Sequence, residues 1–301
     1  MKSKFFPALA TLTGTVVGAG FLGIPYVVSK SGFLIGLVYL IFVAAFILLV
    51  KLYLGEVILR TNGNHQLTGY ASRYLGKWGK VLMFFSMLFG IYAALFAYLI
   101  AEGRSFSFLF LGNLNYSFVF SIAFWFVMSF LTYRGLRALK KYEKTAMIIV
   151  LALTALIFIF FIGKVKIDNL SYIGENMFVP FGVILFSFLA FSATPEIRRL
   201  LLGQEKLMKK VIITGMLIAF TVYLIFTFVV VGVFGANVQE IATLSLGRFF
   251  SLLGIFTMFT AFFTLSLAIR DMFRFDFKLG RFKGWLLASF VPLALFLLVS
   301  F

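Results

Sequence analysis

Gly14-Thr15-Val16-Val17-Gly18-Ala19-Gly20-Phe21-Leu22-Gly23-Ile24-Pro25 decides how the chain is read. The stretch lies inside an apolar run over about 5–28, long enough to cross a hydrocarbon core of about 30 Å. Yet five of its twelve residues are glycine or proline. In a helix interior glycine costs about 1 kcal/mol and proline about 3 relative to alanine, so a segment that only had to cross would avoid them. Two readings stay open on these residues. Gly14 and Gly18 form a GxxxG pattern that suits close helix packing. Alternatively, the helix unwinds near Gly18–Gly20 and frees N–H and C=O groups, which a membrane tolerates only where a cavity or ligand satisfies them. The half-helix N-terminus would then favour an anion such as a carboxylate.

The rest of the chain supplies the membrane. Of 301 residues 62% are hydrophobic, 43 are Phe and only 12% are charged, with mean hydropathy +1.08. A soluble domain of this size could not bury so much apolar surface. Apolar runs occur at about 5–28, 32–59, 78–101, 117–133, 145–163, 177–194, 210–235, 247–269 and 285–301. They are continuous rather than alternating, so an all-α polytopic protein of about nine spans is expected, not a barrel. The net charge of +17 follows the same count. Lys2 and Lys4 and the segments after the second, fourth, sixth and eighth runs hold 21 of the 27 cations; the opposite segments hold Lys30, Arg104, Lys164, Lys166 and Arg248. This bias puts the N-terminus in the cytoplasm and the C-terminus outside, in a multi-pass cell-membrane protein. A signal peptide is the lesser reading of the start, because the first run continues through Pro25 to Val28. No cysteine and one histidine, His65, leave no metal site to expect. No catalytic cluster stands at membrane depth, so the chain reads as no enzyme, with no cofactor and no nucleic-acid partner.

Working outward, Pro25 has a counterpart in Pro195, and Leu75-Gly76-Lys77 in Leu246-Gly247-Arg248, at nearly one offset. A duplication near residue 170 follows: one transmembrane domain over 1–301, with repeat one at about 5–163 and repeat two at about 174–301. An odd number of spans in the first copy inverts the second, the pattern of secondary transporters. The fifth run should recur beyond Phe301, so the second copy is expected incomplete, its tenth core helix missing. The sixth run carries the matching interruption, Phe186-Ser187-Phe188-Leu189-Ala190-Phe191-Ser192-Ala193-Thr194-Pro195-Glu196. Its hydroxyls could simply bond back to their own helix; a second broken span at the equivalent place favours a binding site.

With these stretches in hand, GTVVGAGFLGIPYVVSKSGF resembles the first helix of the amino acid/auxin permease family, within the amino acid–polyamine–organocation superfamily. FSFLAFSATPEI resembles its sixth helix, LTGYASRYLGKWGK the stretch before its third, and TAFFTLSLAIRDMF the end of its eighth, with Asp271 at the expected aspartate. The resemblance implies a LeuT-like inverted repeat and uptake of an amino acid by alternating access, coupled to H⁺ or Na⁺. It implies that Gly18, Ala19 and Gly20 offer N–H groups to the substrate carboxylate. Carbonyls near Ser187 and Phe188 would accept from its amino group, Phe191 would form a lid, and Tyr98 or Tyr92 would line the pocket. For the ion it implies oxygens near Thr13 and Val16 with Thr257 and Thr260. Ala261 stands where sodium-coupled relatives tend to carry a hydroxyl. H⁺ is therefore favoured over Na⁺, with Glu56 as the membrane-embedded acid. Lys51 is expected to snorkel to the cytoplasmic face, and Glu196 to pair with Arg198 or Arg199. The rival reading is a non-transporting scaffold or degenerate permease fragment. Substrate identity and oligomeric state are not legible.

Overall fold

In a computed structural model, residues 4–300 other than Glu175 are described, without the side chains of Ala19, residues 136–144 and Ser300. Among the described residues all regular structure is helical. Eight helical segments are long and apolar enough to span a membrane, and a bent helix pair at the start makes nine. The bent pair is α1 (Phe5–Val16) and α2 (Ala19–Ser31), inclined by 43°. Then follow α3 (Phe33–Arg60), α4 (Leu67–Leu111), α5 (Ser117–Arg134), α6 (Leu136–Phe161) and the short α7 (Ile167–Ser171). The second half holds α8 (Val179–Phe188) and α9 (Ala193–Leu200) as one interrupted span, α10 (Met208–Phe234), the short α11 (Ala242–Ser245), α12 (Ser251–Phe275) and α13 (Arg281–Ser300).

Helix phase explains the packing. In α3 the buried residues are Phe33, Gly36, Leu40, Val43, Ile47, Lys51, Gly55 and Ile58, a stripe with steps of three and four that defines one helix face. The opposite face carries exposed Val38, Phe42, Phe46 and Leu49, which suits lipid. Twenty of the 25 residues of α12 are buried, so this helix runs through the middle of the bundle. One apolar core gathers α1, α2, α3, α8 and α10, while a second gathers α4, α5, α12 and α13. The first and eighth spans meet at the join, where α1 lies against α12.

Two glycines 171 residues apart share a backbone state. Gly76 has φ 70° and ψ −160°, and Gly247 has φ 100° and ψ 171°, a region that only glycine occupies without strain. Each lets an approaching segment turn into a long span: residues 67–75 into the rest of α4, and α11 into α12. The helices also run past the apolar runs. The third continues to Leu111, so Arg104 and Glu102 belong to α4 rather than to a connecting loop.

Cations gather at one end of the bundle. There Arg198 donates to Gly63 O, Lys80 to Asp276 O and Arg281 to Tyr133 O. At the other end Arg248 donates to Phe108 O and Phe110 O, Lys30 to Ala236 O, and Arg104 pairs with Glu240. The side chains of Arg137, Lys140, Lys141 and Lys144 lie outside the described residues.

Candidate functional site

Both interrupted spans break near mid-length, side by side. In the first, α1 ends at Val16, Val17 takes φ −77° and ψ 74°, Gly18 takes φ −110° and ψ −155°, and α2 starts at Ala19. The unwound stretch is thus shorter and earlier than the Gly18–Gly20 expected from sequence. Ala19 and Gly20 form the first turn of α2, where N–H groups have no intrahelical partner. Gly18 is needed for space, not for φ: a Cβ there would lie 2.5 Å from Tyr98 Oη and 2.9 Å from Ala261 Cβ. Gly20 is the point where the two broken spans touch, since a Cβ would lie 2.5 Å from Ser187 Oγ and 3.0 Å from Ser187 Cα.

In the sixth span α8 stops at Phe188, Leu189 takes φ −55° and ψ −82°, Ala190 adopts φ 36°, and α9 resumes at Ala193. A positive φ at alanine costs about 1–3 kcal/mol unless the surroundings enforce it. Two side chains do so. Tyr223 of α10 places its hydroxyl 2.6 Å from Val16 O and 2.9 Å from Ser187 O, bridging the two interruptions. Its ring stacks on Phe21 at 5.6 Å and tilts against Phe188 at 4.8 Å. Lys51 of α3, fully buried, donates from Nζ to Leu189 O and lies 5.0 Å from the Phe191 ring. Lys51 therefore does not snorkel. It sits on the buried stripe of α3 and satisfies a carbonyl that the unwinding exposes.

Between the breaks and α4 lies a cavity of about 250 Å³. Thr15, Val16, Gly20, Ser187 and Tyr98 contribute polar or backbone surface, while Met83, Met87, Ile91 and Phe186 form apolar walls. Among the described residues no charged side chain lines it. Of the residues expected around a substrate, Gly20, Ser187, Phe191 and Tyr98 line this cavity, and Gly18 adjoins Tyr98. Phe188 packs behind it against Tyr223, and Tyr92 turns away to donate to Leu287 O at 3.1 Å. The side chain of Ala19 lies outside the described residues.

Of the oxygens expected around an ion, the Thr257 and Thr260 hydroxyls are taken up by backbone carbonyls and Val16 O accepts from Tyr223. Thr260 Oγ1 donates among Gly14 O at 2.9 Å and Thr257 O at 3.0 Å, and Thr257 Oγ1 donates to Gly254 O. Thr13 Oγ1 is buried without a partner beside a gap of about 10 Å³, roughly the room of one water. Glu56 is not a buried acid: it is half-exposed and pairs with Arg60 at 2.6 Å. It sits one turn from the end of α3, on the face turned away from the stripe.

Toward the cation-rich end the cavity is backed by a buried ionic network. Glu196 accepts from Arg199 at 2.9 and 3.0 Å and from Gln66 Nε2 at 2.7 Å. Arg199 also donates to Asp271, whose other oxygen accepts from Arg270 at 2.9 and 3.1 Å, and Arg270 reaches Thr132 O at 2.6 Å. Of the two arginines expected beside Glu196 it is therefore Arg199 that pairs. Nearby Asp276 accepts from Thr68 Oγ1 and from the Gln66 and Gly69 N–H groups. Burial pushes its carboxyl up, against the pull of those bonds. Sequence reasoning missed Arg270 and Glu102, both buried in long spans. The signal was present in each as a charge inside an apolar helix.

Comparison with known proteins places this geometry. "Glutamine transporter 2" of Aliivibrio fischeri is 26% identical over 252 residues, covering 79% of this chain and 63% of that protein. "Tyrosine-specific transport system 1" of Haemophilus influenzae is 24% identical over 220 residues, covering 71% of this chain and 54% of that protein. The chain thus spans less than two thirds of the length of these relatives. Among solved structures, Mhp1, a nucleobase-cation-symport-1 family transporter in a closed conformation with bromovinylhydantoin bound, is similar over 97% of this chain and 71% of its own. The TM-score is 0.68 at 12% identity. The fold is therefore LeuT-like, as the broken first and sixth spans imply. The similar proteins are transporters, not enzymes. The motifs suggest the amino acid/auxin permeases, which the comparisons do not show; the family model that matches is another. Residues 1–244 match the tryptophan/tyrosine permease family, and the chain belongs to that family.

Proposed function

We propose that the protein is a secondary active transporter that carries a neutral amino acid across the cell membrane by alternating access. One observation carries this reading: an uncharged, largely apolar cavity closed on one side by the unwound backbone of two spans. The first turn of α2, at Ala19 and Gly20, would hold the substrate carboxylate through free N–H groups and the helix dipole. Carbonyls at the end of α8 would accept from the amino group. Met83, Met87, Ile91 and Phe186 suit an apolar or aromatic side chain better than a charged one. The family's description names tryptophan and tyrosine, which agrees with those walls.

We further read H⁺ rather than Na⁺ as the coupling ion, because Ala261 brings no oxygen and the Thr257 and Thr260 hydroxyls already donate to Gly254 O and Gly14 O. The cation-rich end is read as cytoplasmic. There the Glu196–Arg199–Asp271–Arg270 network closes the path, since its four members come from both the interrupted sixth span and the eighth. Gly76 and Gly247, 171 residues apart and alike in φ and ψ, support an inverted repeat with five spans in the first copy. Purified protein would be titrated with L-tryptophan, L-tyrosine, L-glutamine and L-glutamate, with D-tryptophan as control. Saturable, stereospecific binding of the neutral amino acids is expected. Its absence for all four would return the chain to a non-transporting scaffold.

A further inference from the structure

Glu102 takes no part in the site described above, and among the described residues it is the one buried acid whose two oxygens both lack a partner. It lies on α4 one turn past Tyr98, a residue lining the cavity, and nine residues before the helix ends, about 13 Å in at 1.5 Å per residue. Its side chain is fully buried, and neither carboxyl oxygen has a hydrogen-bond partner. Ser105 follows on the same face of the helix, and its hydroxyl is also unpartnered, as is that of Thr243 on α11. Both hydroxyls flank Gly254 of α12, where a Cβ would lie 3.1 Å from Thr243 Oγ1 and 3.7 Å from Ser105 Oγ. Leu22 of α2 closes the same point at 3.2 Å.

Few described ionisable groups are placed near Glu102: Lys164, Lys166, Asp168 and Tyr172, between α6 and α8 at this end, are exposed. Lys30 of α2, Arg104 of α4, Glu240 before α11 and Arg248 before α12 are exposed at the rim, and Arg104 spends its charge on Glu240. Tyr26 of α2 is half-buried, Tyr116 before α5 is exposed, and Tyr98 is one turn away. The facing halves of α5, α12 and α13 bring no ionisable side chain. A carboxylate here would meet no cation among the described residues, so a charge is costly while the group is enclosed and ionisation needs water to reach it.

We propose that Glu102 is the proton-carrying group of transport. A proton binds its carboxylate oxygen when this nest opens to one side of the membrane and leaves the same oxygen to water when the path opens to the other. No bond of the amino acid changes. The proposal rests on the transport reading above and deepens it, and Glu102 replaces Glu56 as the acid.

The test uses the full chain in liposomes with radiolabelled L-tryptophan. Two modes are compared: accumulation driven by an inward proton gradient, and counterflow exchange without any gradient. In the unaltered protein both are expected. Glu102→Gln keeps the shape but cannot release a proton, so accumulation should fall to that of protein-free liposomes while counterflow persists. Proton-driven accumulation by Glu102→Gln equal to the unaltered protein would overturn the proposal. So would accumulation by the unaltered protein under a Na⁺ gradient alone and not under a proton gradient, which would leave the transport reading standing. An unaltered protein with no counterflow for L-tryptophan, L-tyrosine or L-glutamine would instead remove the transport reading itself. Should Glu102→Gln fail to fold, Glu102→Asp decides. Accumulation with a displaced pH profile supports the role, and an unmoved profile refutes it.

Discussion

Replacing Gly18 by alanine tests whether the first break is built for close approach or is merely a loose point in a helix. The Gly18 backbone lies in the extended region, which alanine adopts freely, so no strain in φ confuses the result. The whole effect is steric. The added methyl would stand 2.5 Å from Tyr98 Oη and 2.9 Å from Ala261 Cβ. To reach an ordinary contact of 3.4 Å, the hydroxyl must retreat by about 0.9 Å or the break must move. Tyr98 lines the cavity and Ala261 is locked in the buried middle of α12, so the relief comes at the expense of the binding space. Overpacking by one methyl in a dense interior costs about 1–3 kcal/mol. At 1.4 kcal/mol per tenfold, L-tryptophan affinity should fall about 5- to 150-fold. Direct binding by calorimetry, with thermal unfolding measured in parallel, separates lost affinity from lost folding. Tyr98→Phe removes the nearer clashing atom. Gly18→Ala in the Tyr98→Phe background should therefore lose far less than Gly18→Ala alone, giving a coupling of similar size. Unchanged affinity in Gly18→Ala, or strictly additive losses in the double variant, would refute the reasoning.

Lys51→Met keeps the bulk of the side chain and removes the donor to Leu189 O. An unsatisfied buried carbonyl costs about 1–3 kcal/mol, so thermal stability should drop and amino-acid binding weaken, whereas a snorkelling lysine would have tolerated methionine; a melting curve matching the unaltered protein would count against the assignment. Asp271→Asn leaves Arg199 and Arg270 undercompensated in a buried site. Breaking such a pair costs about 3–5 kcal/mol, read as a large loss of melting temperature that high salt does not mimic. In this cysteine-free chain, single cysteines at Lys30 and Lys166 should react with an impermeant thiol reagent in intact cells, and one at Lys209 should not. Labelling at 209 from outside would invert the topology.

Much of this was legible because the membrane makes composition speak. Continuous apolar runs located the eight long helical segments and the bent pair found among the described residues, and the glycines and prolines around Gly18 and Pro195 located both interruptions, since backbone freed in lipid has so few uses. The limits were tertiary. Lys51 lies about 13 Å from the end of α3 at Arg60, close enough for a long side chain to reach the surface if it faced lipid. Only its phase with Leu40, Ile47 and Gly55 shows that it faces inward, and reading the span's phase rather than its ends would have found it. Glu102 was lost because the apolar run stops at 101 and Arg104 suggested a loop; a helix can carry both when one faces the interior and the other the rim. The reach of the unwinding was overestimated because glycine at position 20 serves contact with Ser187, a demand that belongs to another span and leaves no mark in the local sequence.

Tyr223 has one hydroxyl proton and two carbonyls within reach of it. Val16 O lies nearer the hydroxyl, at 2.6 Å against 2.9 Å for Ser187 O, although it also accepts the Gly18 N–H at 2.8 Å. One proton cannot serve both carbonyls at full strength, so one break always keeps an acceptor that is only partly satisfied. The two interruptions are tied through a single phenol, and a change of backbone at either one alters what the other is offered.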